Sequence, residues 1–485
     1  MKGLLAHFGG LSLARADPAV VLISAPLLLF PYRYLPWVGL GFLMVGWVLR
    51  VTGTGVWIVR NPLNRPIAAL FLMTMVSLYP SVDLSLSMPK FYGIILGFFI
   101  FYATVSYINN ERRFWQGAWL LVVSVVVISL LGMVGTDWNT YKLPMFQQIY
   151  GLMPRVIPSV QTSFGAATGF HSNEVGGTLA FLLPLPIALM FGATWTRLRK
   201  AELGIVALLG FGVLVLTASR SGFMGVAVAA VVIGIWRWRR IGTMAIFVGL
   251  AVLGVILSLD APAIEGLLLK VDVNTVASSG GTLAARSEIW DRALFLIEDF
   301  PFTGIGLNTF PVVGDTLYPS LLAGPDARVP HAHNIFLQTA VDLGLGGLLG
   351  FLGLWACTVY VAWTAYRRAA VDGVPRTAVQ AATVGLLLGL LSYLVYGLTD
   401  AITLGAKPTV LLWLMLGLLV SAQRITFSAH PQLAASQSGS PQAYSFANRA
   451  VRLLLFTARD CFWVVTFALV GLGLLVVAVA IFGRM

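Results

Sequence analysis

The chain has 485 residues, of which 58% are apolar and only 10% charged, with a net charge of +12. That charged fraction is less than half the roughly 25% of a typical soluble domain, which excludes a water-soluble enzyme. The basic excess does not call for nucleic acid, because it follows a membrane topology.

Apolar runs near the length that crosses a bilayer, roughly 20 residues, recur from one end to the other. They give about thirteen spans, at 18–31, 35–50, 66–80, 91–108, 116–135, 173–194, 201–217, 222–236, 241–259, 334–364, 377–399, 407–423 and 461–482. The first run, Ala19 to Phe30, has no small-residue cleavage pattern and leads straight into the second, so it reads as a span and not a signal peptide. With the N-terminus inside, 20 of the 31 basic residues fall inside, among them Arg50, Arg60, Arg65, Arg112, Arg113, Arg237, Arg239 and Arg240. Of the 19 acidic residues, 14 fall outside or near the outer boundary, the reverse of the basic residues. The expected fold is an all-α integral membrane protein of about 12–13 transmembrane helices.

Four regions follow. Residues 1–135 form N-terminal transmembrane helices, and 136–425 a membrane core with outer loops at 136–172 and 260–332. Residues 426–460 form a cytoplasmic linker rich in Ser, Gln, Ala and Pro, and 461–485 a last span. In the larger loop, Ile289, Ala293, Leu296, Ile297 and Phe300 recur at helical spacing beside Glu288, Asp291, Arg292, Glu298 and Asp299. That pattern predicts an amphipathic helix on the membrane surface or over a cavity, stopped by Pro301 and the glycines of Pro301-Phe302-Thr303-Gly304-Ile305-Gly306. No internal repeat is evident, which argues against the inverted-repeat plan of many transporters. Cys357 and Cys461 lie within spans and read as packing residues.

Polar groups crowded at the outer boundary are the candidates for chemistry. Arg220, in Thr217-Ala218-Ser219-Arg220-Ser221-Gly222, sits at a tight corner between two spans; the alternative is an arginine reaching for lipid headgroups. His331-Ala332-His333-Asn334 opens a long apolar helix that runs on through Gly344, Gly346 and Gly347. The positive end of a helix favours neutral imidazole, the form a general base needs, and Asn334 is placed to orient it. The alternative is a pair of capping residues; two histidines without a third ligand are a weak zinc signal. Arg286 precedes the amphipathic helix, and Arg155 lies in the smaller loop; each alone reads as a solvated charge. His171-Ser172-Asn173-Glu174 opens another span at the same boundary, where Asn173 and Glu174 either line a shared cavity or cap the helix.

Taken in order over roughly residues 160–365, these pieces resemble the O-antigen ligase and O-antigen polymerase family. Ser219-Arg220 resembles its arginine turn, and Arg286-x-x-x-Trp290 followed by Pro301-x-x-Gly304-Ile305-Gly306 resembles its loop signature. His333-Asn334, then Gly344-x-x-Gly347, is similar to the ligase histidine motif, with Leu348 where that motif often continues with Thr or Ser.

The resemblance implies a GT-C-like fold in a bacterial inner membrane and a glycan donor carried on undecaprenyl diphosphate at the outer leaflet. Arg220 and Arg286 would hold the diphosphate, His333 would be the base, and His331, Asn334, Arg155, Asn173 and Glu174 would support them. The implied enzyme is an inverting glycosyltransferase needing no metal and no cofactor. Its acceptor is lipid A–core for a ligase, another lipid-linked glycan for a polymerase, or a protein hydroxyl for an O-oligosaccharyltransferase. A polysaccharide-lipid transporter, the reading from another class, calls for charges at mid-membrane depth and repeated halves.

Overall fold

A computed structural model describes residues 16–136, 170–238, 283–319, 329–369 and 377–428. The expected spans at 241–259 and 461–482, Arg155 and all but the first three residues of the linker expected at 426–460 lie outside the described residues. The chain divides into a unit over Met1–Thr426 and a second over Phe427–Met485, and the description below concerns the first.

The described residues are helical almost throughout. Five helices precede the smaller loop: α1 (Ala16–Leu29), α2 (Leu35–Thr54), α3 (Asn64–Val76), α4 (Leu84–Tyr107) and α5 (Glu111–Gly135). Then come α6 (Ser172–Leu182), α7 (Pro184–Gly192), α8 (Arg197–Thr217) and α9 (Arg220–Arg237). The larger loop contributes α10 (Leu283–Asp299) and α11 (Phe310–Leu317), followed by α12 (Ile335–Arg368), α13 (Thr377–Tyr396) and α14 (Thr409–Ser428). Nine helices among the described residues are long and apolar enough to cross a membrane, with α6 and α7 counted as one. The chain is therefore an all-helical, multi-pass inner-membrane protein. Outward faces carry large apolar side chains such as Leu72, Leu208 and Leu349, all more than 60% exposed, which suits lipid contact.

Around α13 pack α6, α7, α9 and α12, and its face Tyr393, Tyr396 and Leu386 is wholly buried. This packing brings several helix starts to one end of the bundle. Ile335 N–H donates to Gly397 O at 2.7 Å, and the Ser221 and Thr399 hydroxyls lie 2.7 Å apart. Asn173 Nδ2 donates to Asp400 Oδ2 at 2.9 Å, joining the start of α6 to the turn after α13.

The amphipathic helix forms as α10, and its apolar face is buried rather than spread on a surface. Ile289, Ala293 and Leu296 pack with Ile305, Phe310, Ala332 and Val341. Burying each large aliphatic side chain contributes about 1.5–3 kcal/mol. Arg292, assigned by its spacing to the polar face, is instead 3% exposed and pairs with Asp315 at 2.5 Å. The short helix α11 supplies that partner.

One expectation fails at Gly344. The helix from Ile335 is not continuous there, because Gly344 adopts φ 68, ψ −179. At such a break the backbone groups on either side need other partners. The Pro301–Gly306 loop provides them: Leu345 N–H donates to Pro301 O at 2.8 Å, and Ile305 N–H donates to Val341 O at 2.9 Å. A Cβ on Gly344 would meet Phe302 O at 2.5 Å, and one on Gly304 would meet Val341 O at 2.5 Å. Loop and helix are therefore one joint, which explains why the two glycine motifs occur in the same chain. Gly344→Ala should destabilise the protein by about 1–3 kcal/mol, through left-handed strain and the clash. A fall in thermal unfolding temperature in detergent checks this, and Gly346→Ala, which meets only the flexible tip of Met73, is the milder comparison.

Beside this joint lies an ion pair within apolar helices that composition and pattern did not single out. Lys90 of α4 bonds Asp342 of α12, and both are buried. Asp342 also accepts from Gln338 Nε2 at 2.9 Å and Asn308 N–H at 3.2 Å, so the pair is well satisfied. It lies seven residues into α12, roughly 10 Å from its start, and so toward the end where the helix openings gather.

Candidate active site

The turn His331–Asn334 is held from both sides. Asn334 caps α12, its Oδ1 accepting from Phe336 N–H at 2.9 Å and Leu337 N–H at 3.1 Å. Its Nδ2 donates to Leu398 O at 3.1 Å. Both ends of the Asn334 amide are thus engaged with backbone, and it positions the turn without touching the imidazole. Ala332 N–H donates to Gln338 Oε1 at 2.7 Å, which ties the turn to the Lys90–Asp342 network. His333 is driven into the left-handed region at φ 46, a conformation that costs a non-glycine residue energy and that clusters at functional sites.

The group at the imidazole is Asp400, 3% exposed, from the turn after α13. Its Oδ1 lies 3.3 Å from His333 Nδ1 and 3.9 Å from His331 Nε2. The first distance is that of a hydrogen bond, though its alignment is imperfect, and His333 Nδ1 has no other partner among the described residues. A proton on Nδ1 facing the carboxylate leaves Nε2 as the accepting nitrogen. His331 has the other tautomer, since its Nδ1 accepts from His333 N–H at 3.1 Å. The two rings lie 4.3 Å apart.

Burial, and after it the neighbouring imidazole, pushes His331 well below the usual histidine range, so the ring is neutral at physiological pH. For Asp400, burial opposes ionisation, but the hydrogen bond from His333 and the two imidazoles outweigh it and hold the carboxyl below the usual carboxylate range. Asp400 Oδ1 also accepts from Ala401 N–H at 2.9 Å.

The two arginines arrive from different elements. Ala218 ends α8 in a left-handed conformation at φ 50, and Ser219 caps α9, its Oγ accepting from Gly222 N–H at 3.3 Å. Arg220 is thereby fixed as the first residue of α9, and its side chain is exposed at the bundle's end. Arg286, on the first turns of α10, is half-buried, with its Nε buried and unpartnered. Burial weakens the Arg286 guanidinium's hold on its proton; the nearby Asp400 charge strengthens it and the Arg220 charge opposes it. An arginine nonetheless stays protonated in such a setting. Arg286 therefore lies in electrostatic range of both Arg220 and Asp400, and Asp400 in turn touches His333.

The other expected residues fall around this group. Asn173 bonds Asp400, and its own carbonyl accepts from Tyr396 Oη at 3.0 Å. Glu174 lies within electrostatic range of Lys407 and Asp400. The residue missed from the sequence is Asp400. Its signal was an acidic residue ending an apolar span in Gly397-Leu398-Thr399-Asp400, on the side where the histidines lie.

No curated protein sequence matches the chain. The O-antigen ligase family model matches residues 205–352, a segment that holds Arg220, Arg286, His331, His333 and Asn334 and stops short of Asp400. Over that segment the chain is similar to the O-antigen ligase family, and its long apolar helices make it a multi-pass membrane protein.

Proposed function

We propose that the protein is an inverting, metal-independent glycosyltransferase with a GT-C-like fold. It would move a glycan from undecaprenyl diphosphate to an acceptor hydroxyl at the outer face of the inner membrane. The observation that carries this reading is the convergence of Arg220, Arg286 and the His333–Asp400 pair at one end of the bundle.

Two guanidinium groups in mutual range repel, and an anion with several oxygens between them relieves that repulsion. A diphosphate fits, since each planar fork offers two parallel hydrogen bonds to phosphate oxygens. The acceptor oxygen attacks the anomeric carbon while His333 Nε2 takes its proton, and the Asp400 carboxylate steadies the imidazolium that forms. The bond from the anomeric carbon to the phosphate oxygen breaks, its electron pair passing to the diphosphate. Negative charge grows there, where preorganised cations stabilise it. Attack opposite the leaving group inverts the anomeric centre.

The acceptor we favour is lipid A–core, as in a ligase. A second lipid-linked glycan or a protein hydroxyl are the alternatives, and the membrane lipid itself holds the donor's tail. An assay of purified protein with a lipid-linked glycan and each acceptor distinguishes them. Product on lipid A–core supports the ligase reading, longer lipid-linked chains the polymerase, and no product with any acceptor defeats the transferase reading. Activity should survive exhaustive chelation without added divalent ion. Loss on chelation, restored by one particular ion, would show that the arginines do not act alone.

A further inference from the structure

The transfer chemistry leaves His331 without a task. One imidazole suffices to take the acceptor's proton, and Asp400 already serves that imidazole at 3.3 Å. Yet the turn brings a second ring within 4.3 Å of the first and directs its Nε2 toward the same carboxylate oxygen, at 3.9 Å. His331 Nδ1 is occupied by His333 N–H, so Nε2 is the nitrogen free to take a ligand.

We propose that His331, His333 and Asp400 form a three-ligand site for a borderline divalent cation of the zinc class, and that such an ion inhibits transfer. The inhibitory half of this proposal rests on the role given to His333 above; the binding half does not.

Two imidazoles and one carboxylate are a ligand set that zinc takes readily, leaving a fourth position open. Ligands at about 2.0–2.1 Å in a tetrahedron lie roughly 3.3 Å from one another. The observed separations of 3.3 and 3.9 Å from Asp400 Oδ1 come close to that edge, and one donor atom from each residue falls within 4.8 Å of the others. Small ring rotations suffice, because the turn is pinned by Asn334 and the carboxylate by Asn173 and Ala401. Those same two carboxylate bonds provide the outer support that metal sites generally need. Hard ions such as magnesium prefer all-oxygen ligands and are not suited to this set. The surrounding charges temper affinity: Arg286, Lys90 and His171 all act on this cluster and oppose a dication. Moderate, reversible binding follows. An ion on His333 Nδ1 and Asp400 Oδ1 separates the base from its carboxylate, and the ring loses the partner that favours taking a proton.

The test is a titration of the full-length purified protein, stripped of metal in detergent, with Co2+ and Zn2+. The parent should take up one equivalent, and the Co2+ form should show the visible absorption of a four-coordinate N/O site. His331→Ala and Asp400→Asn should each weaken binding by about 100-fold or more, since even outer-sphere partners are worth 10- to 100-fold. Zn2+ should inhibit the parent and a chelator should reverse it, while whatever transfer His331→Ala retains should resist Zn2+. Absence of stoichiometric uptake by the parent overturns the proposal without any variant. Uptake undiminished in both variants overturns it too, because the ion then binds elsewhere. If the parent binds the ion at these residues but transfers no glycan, the site stands and the transferase reading falls. If transfer proceeds and Zn2+ binds without slowing it, the inhibitory half falls alone.

Discussion

Replacing His333 with Ala is expected to lower transfer by about 100- to 10,000-fold, the usual range for loss of a general base. Binding of undecaprenyl diphosphate should change little, because the base acts on the acceptor's proton and not on the leaving group. Asp400→Asn should produce a loss of similar kind with the imidazole still present: an amide can set the wrong tautomer and cannot balance the imidazolium. His331→Ala should cost clearly less than either, since its ring is kept neutral by burial and its Nδ1 is taken by His333 N–H. Turnover and donor binding measured in parallel decide the matter. A His333 variant that transfers normally, or a His331 variant that is the more damaged of the two, would show that the base is misassigned.

The arginines should give the opposite pattern. Arg286→Lys keeps a positive charge but loses the planar fork, so neither donor binding nor turnover should be rescued relative to Arg286→Gln. Loss of one preorganised donor to a developing anion typically costs about 100- to 1,000-fold in turnover. Arg220→Lys should behave alike if the side chain reaches the diphosphate. Its backbone is fixed by the Ser219 cap and by Ser221 bonding Thr399, so a charge-preserving change should leave the corner folded. Thermal unfolding of each variant separates a folding defect from a binding one. Lysine variants that bind and transfer as well as the parent would rule out the clamp.

The membrane class was legible because it depends on local properties. Apolar length and the placement of basic residues are written along the chain, and the helices α4 to α9 fall close to the expected spans. Arg220, His333 and the Pro301–Gly306 loop stood out for the same reason: each is polar or glycine-rich where its neighbours are apolar. The stop at Pro301 was visible, but its purpose was not. A glycine in an apolar run reads as helix, and only a second segment that donates from Ile305 N–H to Val341 O and accepts from Leu345 N–H at Pro301 O shows that the helix opens there.

What the sequence by itself determined, then, was an all-helical membrane fold with polar groups gathered at one boundary. Tertiary structure decided which of those groups meet. Arg292 looked solvent-facing by helical period and is buried, because α11 brings Asp315 to it. Lys90 and Asp342, which the sequence pattern did not single out, neutralise each other across two helices. Asp400 lies just past a span that no histidine motif includes, yet its carboxylate comes to 3.3 Å from His333 Nδ1. Such pairings are long-range: a buried charge is tolerated only with its partner, and which partner arrives depends on how whole helices pack.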